Sequence, residues 1–282
     1  MPSTSQKIRI ARGLSAAVRL SRGVFGLPPT IVCKRRGLKW SLDLREGIDL
    51  AIYVLGGFEV RTLRRYASLI KPGDVVLDIG ANVGAHTLPL ADLVGPAGKV
   101  ISFEPTAYAF AKQQVNIGLN PHLASRIHAF QTMLMASDDG VMPDSVYSSW
   151  PLAAGDDLHP EHHGRLMTTQ GAVRGTLDSF LRAAGITRID FIKLDVDGNE
   201  ADVLRGATHL LGSSRPSLML ELAPYVYRDD IAEFDGLLED LWRIGYQISD
   251  VATGRPLPRS AAQIRRLIPD GGGLNVLARY PR

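Results

Sequence analysis

A short apolar strand followed by a glycine loop constrains the fold of this chain most strongly. Residues 75–79 form an apolar run of the kind shown by a parallel strand that is buried on both faces. Gly80 and Gly84 bracket the loop that follows, a helix is predicted from about 86 to 94, and a second strand covers 99–103. Strand, glycine loop, helix and strand in this order make up half of a nucleotide-binding doubly wound sheet.

Further alternation of strand and helix patterns extends this sheet along the chain. The additional predicted segments are helices at 48–70, 107–118, 176–184, 199–211 and 229–244, and strands at 126–133, 189–194, 217–222, 246–250 and 274–280. We therefore expect an α/β fold with a doubly wound, mostly parallel seven-stranded sheet and helices on both faces. A length of 282 residues fits one large domain with an extension.

The predicted domain covers 40–282 and includes a long stretch without a clear period, 138–175. This stretch is rich in Gly, Pro, Asp and His and exceeds an ordinary loop in length, so it is a substrate lid or a disordered insert, and we favour the lid. Four residues of the stretch form a metal site or, more simply, belong to a solvated loop: His159, Glu161, His162 and His163. Two aromatic residues, Tyr147 and Trp150, stack on a sugar ring or pack on the domain.

Composition and charge exclude several classes of protein. The single cysteine, Cys33, forms no intramolecular disulfide, which fits a reducing, cytoplasmic compartment. No run of 18 apolar residues predicts a membrane span, and the first residues lack the apolar stretch of a secretory signal. Beyond residue 42, 23 basic residues face 29 acidic ones, so the body of the protein has no spread of cations suited to a nucleic-acid partner.

The first 39 residues form a basic arm, with a possible amphipathic helix. Nine Lys and Arg and no acid occur in residues 1–42. The arm combines an apolar stripe with surrounding arginines: Ile10, Leu14, Ala17, Val18 and Leu20, with Arg9, Arg12, Arg19 and Arg22. Three interpretations stay open: an arm packed loosely on the domain, a helix lying on an anionic membrane surface such as the inner membrane, and an organellar transit peptide.

The glycine loop favours a cationic nucleotide over a dinucleotide. Gly80 and Gly84 do not complete the G-x-G-x-x-G fingerprint, and a carboxylate at Asp78 would repel a pyrophosphate. S-adenosylmethionine carries a sulfonium and an amino group and no phosphate, so an acidic strand end suits it. Glu104 ends the second strand, where a carboxylate is placed to accept both ribose hydroxyls. The alternative is that Asp78 and Glu104 merely cap helices.

Several motifs together resemble the FkbM family of methyltransferases. They are the segments 75–84 (VVLDIGANVG), 98–105 (GKVISFEP), 176–178 (TLD), 191–200 (FIKLDVDGNE) and 203–207 (VLRGA). The resemblance implies a class I methyltransferase fold, S-adenosylmethionine as cofactor, and O-methylation of sugar or polyketide hydroxyls. It also implies a bacterial surface-glycan or natural-product context. Asp197 departs from the family, which usually has Glu at that position.

The block that follows the 189–194 strand supplies the candidate catalytic residues. Lys193, Asp195, Asp197 and Glu200 cluster at the edge of the sheet where ligands bind. One carboxylate, Asp195 above all, is a candidate for the proton of an attacking hydroxyl. Alternatively the acids fix the loop by accepting backbone hydrogen bonds, or Asp195 and Asp197 hold Mg²⁺ with Glu221. Lys193 weakens the case for a metal, and we expect no dedicated metal site.

The remaining candidates surround the predicted cofactor. They are Glu59, for the methionine amino group, Ala81 and Asn82 in the glycine loop, Pro105 after the second strand, and Ser137 with Asp138, for the adenine. His86 is interpreted as structural. The proposed acceptor is a hydroxyl of a sugar, glycan or glycolipid precursor or related natural product. A catalytically idle binding module is the alternative, followed by a nicotinamide-dependent oxidoreductase.

Overall fold

The computed structural model describes residues 4–148, 151–152 and 164–281, with side chains from residue 9 onward. Its helices are α1 (Thr4–Val24), α2 (Gly47–Leu55), α3 (Val60–Tyr66), α4 (Thr87–Leu93), α5 (Ala107–Gly118), α6 (Pro121–Ala124), α7 (Leu177–Ala183), α8 (Glu200–Arg205), α9 (Thr208–Ser213), α10 (Ile231–Ile244) and α11 (Ala261–Leu267). A 3₁₀ helix, Pro224–Asp230, precedes α10.

The strands follow the same chain order. They are β1 (Thr30–Arg35), β2 (Leu38–Asp43), β3 (Val75–Ile79), β4 (Lys99–Phe103), β5 (Ile127–Phe130), β6 (Thr132–Leu134), β7 (Ser145–Ser148), β8 (Arg165–Thr168), β9 (Val173–Gly175), β10 (Phe191–Leu194), β11 (Ser217–Leu222), β12 (Gln247–Asp250) and β13 (Leu274–Arg279).

Seven of these strands form the central sheet, in the order β12-β13-β11-β10-β3-β4-β5. The five strands from β11 to β5 pair in parallel, and β13 runs antiparallel to both β11 and β12. The expected mostly parallel seven-stranded sheet is therefore confirmed. Because β3, β4, β10 and β11 are parallel, their carboxyl ends meet at one edge of the sheet.

Helical segments were predicted as longer units than the structure contains. The segment 48–70 divides into α2 and α3 because Gly56 adopts a left-handed conformation with φ of 79°. The segment 199–211 likewise divides into α8 and α9, and the strand predicted at 126–133 divides into β5 and β6. Helix α11 was not predicted at all. No described helix combines the length and apolarity needed to cross a bilayer.

The hairpin of β1 and β2 joins the basic arm to the domain. Its strands pair antiparallel over their full length, and Trp40 and Leu42 of β2 are buried in the domain core. A division of the chain after residue 39 falls inside β2, so the hairpin belongs with the domain and not with the arm. Helix α1 is the part of the arm that remains outside the core.

The insertion contributes a second hairpin, β7 with β8, near the sheet edge. Strands β6 and β9 form a separate parallel pair. The segments where the insertion begins and ends therefore lie side by side. Trp150 and the candidates at His159, Glu161, His162 and His163 lie outside the described residues.

A glycine at the junction of α8 and α9 allows close packing against β6. A Cβ built on Gly206 would lie 2.1 Å from the backbone oxygen of Met135, far inside van der Waals contact. Gly212 in α9 provides a contrast, since a Cβ there meets no atom within 4 Å. The first glycine is thus required by packing, and the second is not.

We expect Gly206→Ala to lower the free energy of unfolding by about 1–3 kcal/mol, because the methyl group forces apart two packed segments. Gly212→Ala is the matched control, and it should raise that free energy by up to about 1 kcal/mol, because alanine restricts the unfolded chain more than glycine does. Urea unfolding of both variants measures the difference. Equal free energies of unfolding for Gly206→Ala and Gly212→Ala would contradict the packing argument.

Candidate active site

A cleft opens at the edge where the parallel strands end. The loops after β3, β4, β10 and β11 form its floor, and β7 of the insertion forms part of one wall. Nine of the residues predicted from the sequence line this cleft: Glu59, Gly80, Ala81, Asn82, Glu104, Pro105, Lys193, Asp195 and Asp197. Four others do not line it: Asp78, Gly84, Ser137 and Glu200.

The glycine loop lies directly against the loop that follows β10. Gly80 has φ of 79°, and a Cβ built on it would lie 1.8 Å from the backbone oxygen of Asp195. Any side chain at residue 80 therefore displaces one loop or the other. Asn82 is also left-handed, with φ of 47°, and its side-chain Nδ2 donates to Ser148 Oγ of the insertion at 3.3 Å.

Glu104 is held by three hydrogen bonds from the protein. Its Oε1 accepts from the backbone N–H of Thr106 at 2.9 Å and from Thr106 Oγ1 at 2.5 Å, while Oε2 accepts from the N–H of Asn82 at 2.9 Å. Burial nevertheless raises the pKa of Glu104 above its ordinary value. Both acceptor positions of Oε1 are filled, so Oε2 alone has room for a further donor. The expectation of a two-oxygen contact with a ribose does not fit this geometry.

A buried lysine lies beneath the floor of the cleft between two carboxylates. Lys193 Nζ is 3.1 Å from Asp195 Oδ2 and 4.0 Å from Asp78 Oδ1. Burial alone lowers the pKa of Lys193, but the carboxylates of Asp195, Asp78 and Glu59 raise it above its ordinary value, so the ammonium stays charged. Asp195 lies at the surface of the cleft, with 27% of its side chain exposed.

Asp78 lies below the cleft and does not line it. Its side chain is fully buried, and Oδ2 accepts a hydrogen bond from Thr87 Oγ1 at 2.6 Å. Burial raises the pKa of Asp78, and Lys193 and Thr87 oppose that rise. The predicted contact of Asp78 with a cationic cofactor is thus replaced by a contact with the ammonium of Lys193, which is its neighbour across the strand pair.

Glu200 fixes the loop after β10. Its Oε1 accepts from the N–H groups of Val196 at 3.0 Å and Gly198 at 3.4 Å, and its Oε2 accepts from Tyr227 Oη at 2.5 Å. Burial is the main reason that the pKa of Glu200 lies above its ordinary value. This geometry matches the alternative in which an acid positions the loop by accepting backbone hydrogen bonds.

Five acidic residues line the cleft around the ammonium of Lys193: Glu59, Glu104, Asp195, Asp197 and Glu221. Burial and the charge of Asp195 raise the pKa of Glu59 and raise that of Glu221 well above its ordinary value. Desolvation by the cleft wall and the carboxylates of Asp195 and Glu200 also raise the pKa of Asp197, although its side chain keeps contact with solvent. Acidic groups thus outnumber the ammonium here, and a bound cation would favour their ionised forms. Among the described residues, no three His, Cys, Asp or Glu side chains converge to hold a metal ion.

His86, interpreted from the sequence as structural, lines the same cleft. Its ring is buried, Nδ1 is 2.9 Å from Tyr66 Oη, and Nε2 is 3.7 Å from Glu59 Oε2 without a hydrogen-bond partner. Burial and the charge of Lys193 hold the pKa of His86 well below its ordinary value, so the ring is neutral. The sequence does not show that Tyr66, 20 residues earlier, holds this ring in place.

The other unpredicted lining residues come from segments on either side of the expected ones. Ser137 was expected beside the adenine, but Thr132, Met133 and Leu134 of β6 line the cleft instead, because the chain turns back toward the sheet earlier than predicted. Phe58, Tyr147 and Tyr225 add aromatic surface to the cleft. Tyr147 was a sequence candidate for a sugar contact, and its place in the lining keeps that prediction open.

The strand order, the reversed β13 and the glycine loop after β3 define a class I methyltransferase fold, a Rossmann-like sheet. The model of the methyltransferase FkbM domain matches residues 78–248. The chain belongs to this family of methyltransferases. The resemblance noted from the motifs after β3, β4 and β10 is thereby confirmed.

Two relatives illustrate the family. The 31-O-demethyl-FK506 methyltransferase FkbM of Streptomyces tacrolimicus is 28% identical over 176 residues, covering 53% of this chain and 65% of that protein. The 2-O-methyltransferase NoeI of Sinorhizobium fredii is 28% identical over 164 residues, covering 54% of this chain and 65% of its own. The chain thus spans slightly less than two thirds of the length of these curated relatives.

A solved structure also resembles this one. The crystal structure of a methyltransferase FkbM from Methylobacillus flagellatus KT has a TM-score of 0.46 and 17% sequence identity, and the match covers 76% of this chain and 47% of that chain.

We expect Lys193→Met to destabilise the protein by about 3–5 kcal/mol, because Asp78 is then left buried without its counter-charge. The pKa of a buried carboxyl is higher in the folded protein than in the unfolded chain, where it is about 3.9. The stability deficit should therefore be small at pH 4 and grow as the pH rises. Urea unfolding at several pH values measures this dependence.

The double variant Lys193→Met/Asp78→Asn serves as its control. It removes both charges, so its free energy of unfolding should recover most of the pH-dependent deficit. A deficit that is the same at all pH values, or that the second substitution leaves unchanged, would show that Asp78 does not depend on Lys193.

Proposed function

We propose that this protein is an S-adenosylmethionine-dependent O-methyltransferase that acts on a hydroxyl of a sugar, a glycan or glycolipid precursor, or a related natural product. The observation that carries the proposal is the acidic cleft at the glycine loop. Five acidic residues line it around one buried ammonium, in a chain of the FkbM methyltransferase family. A cleft lined in this way suits a cofactor with a sulfonium and an amino group.

The residues of the cleft fit such a cofactor in three respects. Gly80 presents bare backbone at the carboxyl end of β3, so a ligand can approach the loop closely. Oε2 of Glu104 keeps one acceptor position toward the cleft and is placed to accept a ribose hydroxyl. Glu59, whose Oε1 accepts from Asn275 Nδ2 at 3.2 Å, has a second oxygen for an amino group. When bound, S-adenosylmethionine supplies the electrophilic methyl group.

Asp195 is the residue that we assign to the acceptor. One of its oxygens is fixed 3.1 Å from Lys193 Nζ, which orients the carboxylate and leaves Oδ1 to receive a hydrogen bond from a hydroxyl. A hydroxyl held in this way would be aligned for in-line attack, and Asp195 Oδ1 would receive its proton. The ion pair with Lys193 holds the carboxylate in one orientation, so we assign to Asp195 above all the alignment of the hydroxyl.

The choice of a hydroxyl acceptor rests on relatives and on the aromatic lining. Two relatives are named as O-methyltransferases, one for a 2-O position and one for a 31-O position. Tyr147 and Tyr225 line the cleft, and tyrosine rings can pack against the apolar faces of sugar rings. Family membership favours neither the idle binding module nor the nicotinamide-dependent oxidoreductase.

We expect the protein to bind S-adenosylmethionine in a calorimetric titration and not NAD. Glu104→Gln should weaken this binding about tenfold or more, because an amide NH₂ group faces the donors of Asn82 and Thr106. Asp195→Asn should change the affinity little. Glu239→Gln, on the exposed side of α10, is the control for the loss of a carboxylate.

Activity is measured with methyl-labelled S-adenosylmethionine and a cell extract as the source of acceptors, followed by mass spectrometry of the labelled products. The wild-type protein should label a hydroxyl, and Asp195→Asn should reduce the rate about 10²–10⁴-fold. A lack of cofactor binding would refute the proposal. Binding without label in any extract would favour the idle module.

A further inference from the structure

The side of helix α1 that points away from the domain carries an exposed apolar stripe. We define this outward stripe by five residues: Ile10, Leu14, Ala17, Leu20 and Val24. Their spacing of four, three, three and four residues places them on one face of the helix. The exposed fractions of Ile10, Leu20 and Val24 are 68%, 73% and 74%, which is high for large apolar side chains.

The opposite face of α1 attaches the helix to the domain. Ser15 is buried, and its Oγ donates a hydrogen bond to the backbone oxygen of Leu44 at 2.7 Å. Ala11 and Val18, one turn to either side of Ser15, pack against the small cluster that contains Leu44 and Leu50. The helix thus already has a packed face, and the outward stripe is a second apolar face that the domain does not cover.

The charge around the outward stripe has one sign. Arg9, Arg12 and Arg19 are exposed along α1, and the first 42 residues contain no acid. At about 100° per residue, Arg9 lies at one border of the stripe, and Arg12 and Arg19 lie farther round the same side of the helix. Phe25 and Leu27, directly after the helix, are exposed as well. An apolar stripe bordered by arginines is complementary to a surface that is negatively charged outside and apolar just beneath.

We propose that α1 is an interfacial helix that docks the protein on an anionic lipid bilayer. The outward stripe lies at the boundary of the acyl chains, and Arg9, Arg12 and Arg19 contact the anionic headgroups. A bilayer is favoured over a second copy of the chain, because pairing two such helices brings their arginines together without an acid to compensate them.

The attachment of α1 also relates the docking surface to the cleft. The cluster on which α1 packs includes Leu50 of α2, and Ile48, in the first turn of the same helix, lines the cleft. Leu152 of that cluster follows β7, whose Ser148 lines the cleft as well. On the basis of the proposed function, the acceptors best placed for this protein are hydroxyls carried on lipid-linked molecules at the bilayer surface.

The test is co-sedimentation of the full chain with vesicles of phosphatidylcholine alone and of phosphatidylcholine mixed with phosphatidylglycerol. We expect binding to the mixed vesicles and much weaker binding to the neutral ones. Substituting R9Q/R12Q/R19Q should reduce the partition coefficient on mixed vesicles about a hundredfold, since each cation near the surface contributes about fivefold. I10S/L20S should reduce it about tenfold or more, because two apolar side chains no longer enter the interface.

Two controls carry the same chemical changes away from α1. K71Q/K99Q/R174Q removes three exposed cations of the domain, and Val141→Ser removes an exposed apolar side chain of the insertion. Both should bind vesicles as the wild type does. Sedimentation equilibrium of all proteins reports whether the stripe mediates self-association instead.

Three results would overturn the proposal. They are no binding of the wild type to mixed vesicles at low ionic strength, equal binding of I10S/L20S and the wild type, and a wild-type dimer that I10S/L20S converts to monomer. Calorimetric titration of each variant with S-adenosylmethionine should give the wild-type affinity. Failure of vesicle binding is thereby distinguished from failure of the proposed methyltransferase function, in which no variant binds the cofactor.

Discussion

The ammonium of Lys193, buried in the middle of a parallel sheet, is the interaction on which the candidate site depends. A lone charge in this position would be very unfavourable, so the lysine requires carboxylates on the same side of the sheet. Asp78 supplies one from the neighbouring strand, and Asp195 supplies the other from the end of the same strand. The ion pair therefore determines which acid stays below the floor of the cleft and which one is oriented toward a ligand.

The acids at this edge of the sheet divide into two groups by their partners. Asp78, Glu104 and Glu200 are buried and accept hydrogen bonds from the protein, which fixes the loops around the cleft. Glu59, Asp195, Asp197 and Glu221 line the cleft, as Glu104 does too, and among the described residues they lack this set of backbone hydrogen bonds. The first group makes the loops rigid enough to hold the second group together against its own repulsion.

Sequence patterns predicted the sheet well because a short apolar run bounded by turn residues is typical of a strand buried on both faces. The bounds of β3, β4 and β11 were predicted to the residue. Breaks inside longer segments were missed where they depend on the backbone of one residue, as at Gly56, or on a chain reversal between β5 and β6. The spacing of apolar residues identifies a helical or strand segment of the chain. It does not show where tertiary packing divides that segment in two.

The site was predictable in so far as it follows from strand ends. Glu104 and Asp195 come directly after parallel strands, so their place at the cleft follows from topology alone. Asp78 was assigned to the ligand because the sequence does not tell which face of a buried strand a side chain occupies. His86 was interpreted as structural, and the sequence could not show that Tyr66, in another helix, holds its ring at the cleft. The apolar residues of α1 were recognised, but the sequence could not show that the helix packs through Ala11, Ser15 and Val18.

The bare backbone at Gly80 has a mechanical consequence for the two halves of the cleft. With no Cβ at this residue, the loop after β3 rests on the backbone oxygen of Asp195, and neither loop can shift without the other. A ligand that stiffens the glycine loop therefore also restrains the loop that carries Asp195 and Asp197. The two loops therefore act as one rigid unit. A ligand bound against the glycine loop also narrows the range of positions that Asp195 and Asp197 offer to a second ligand.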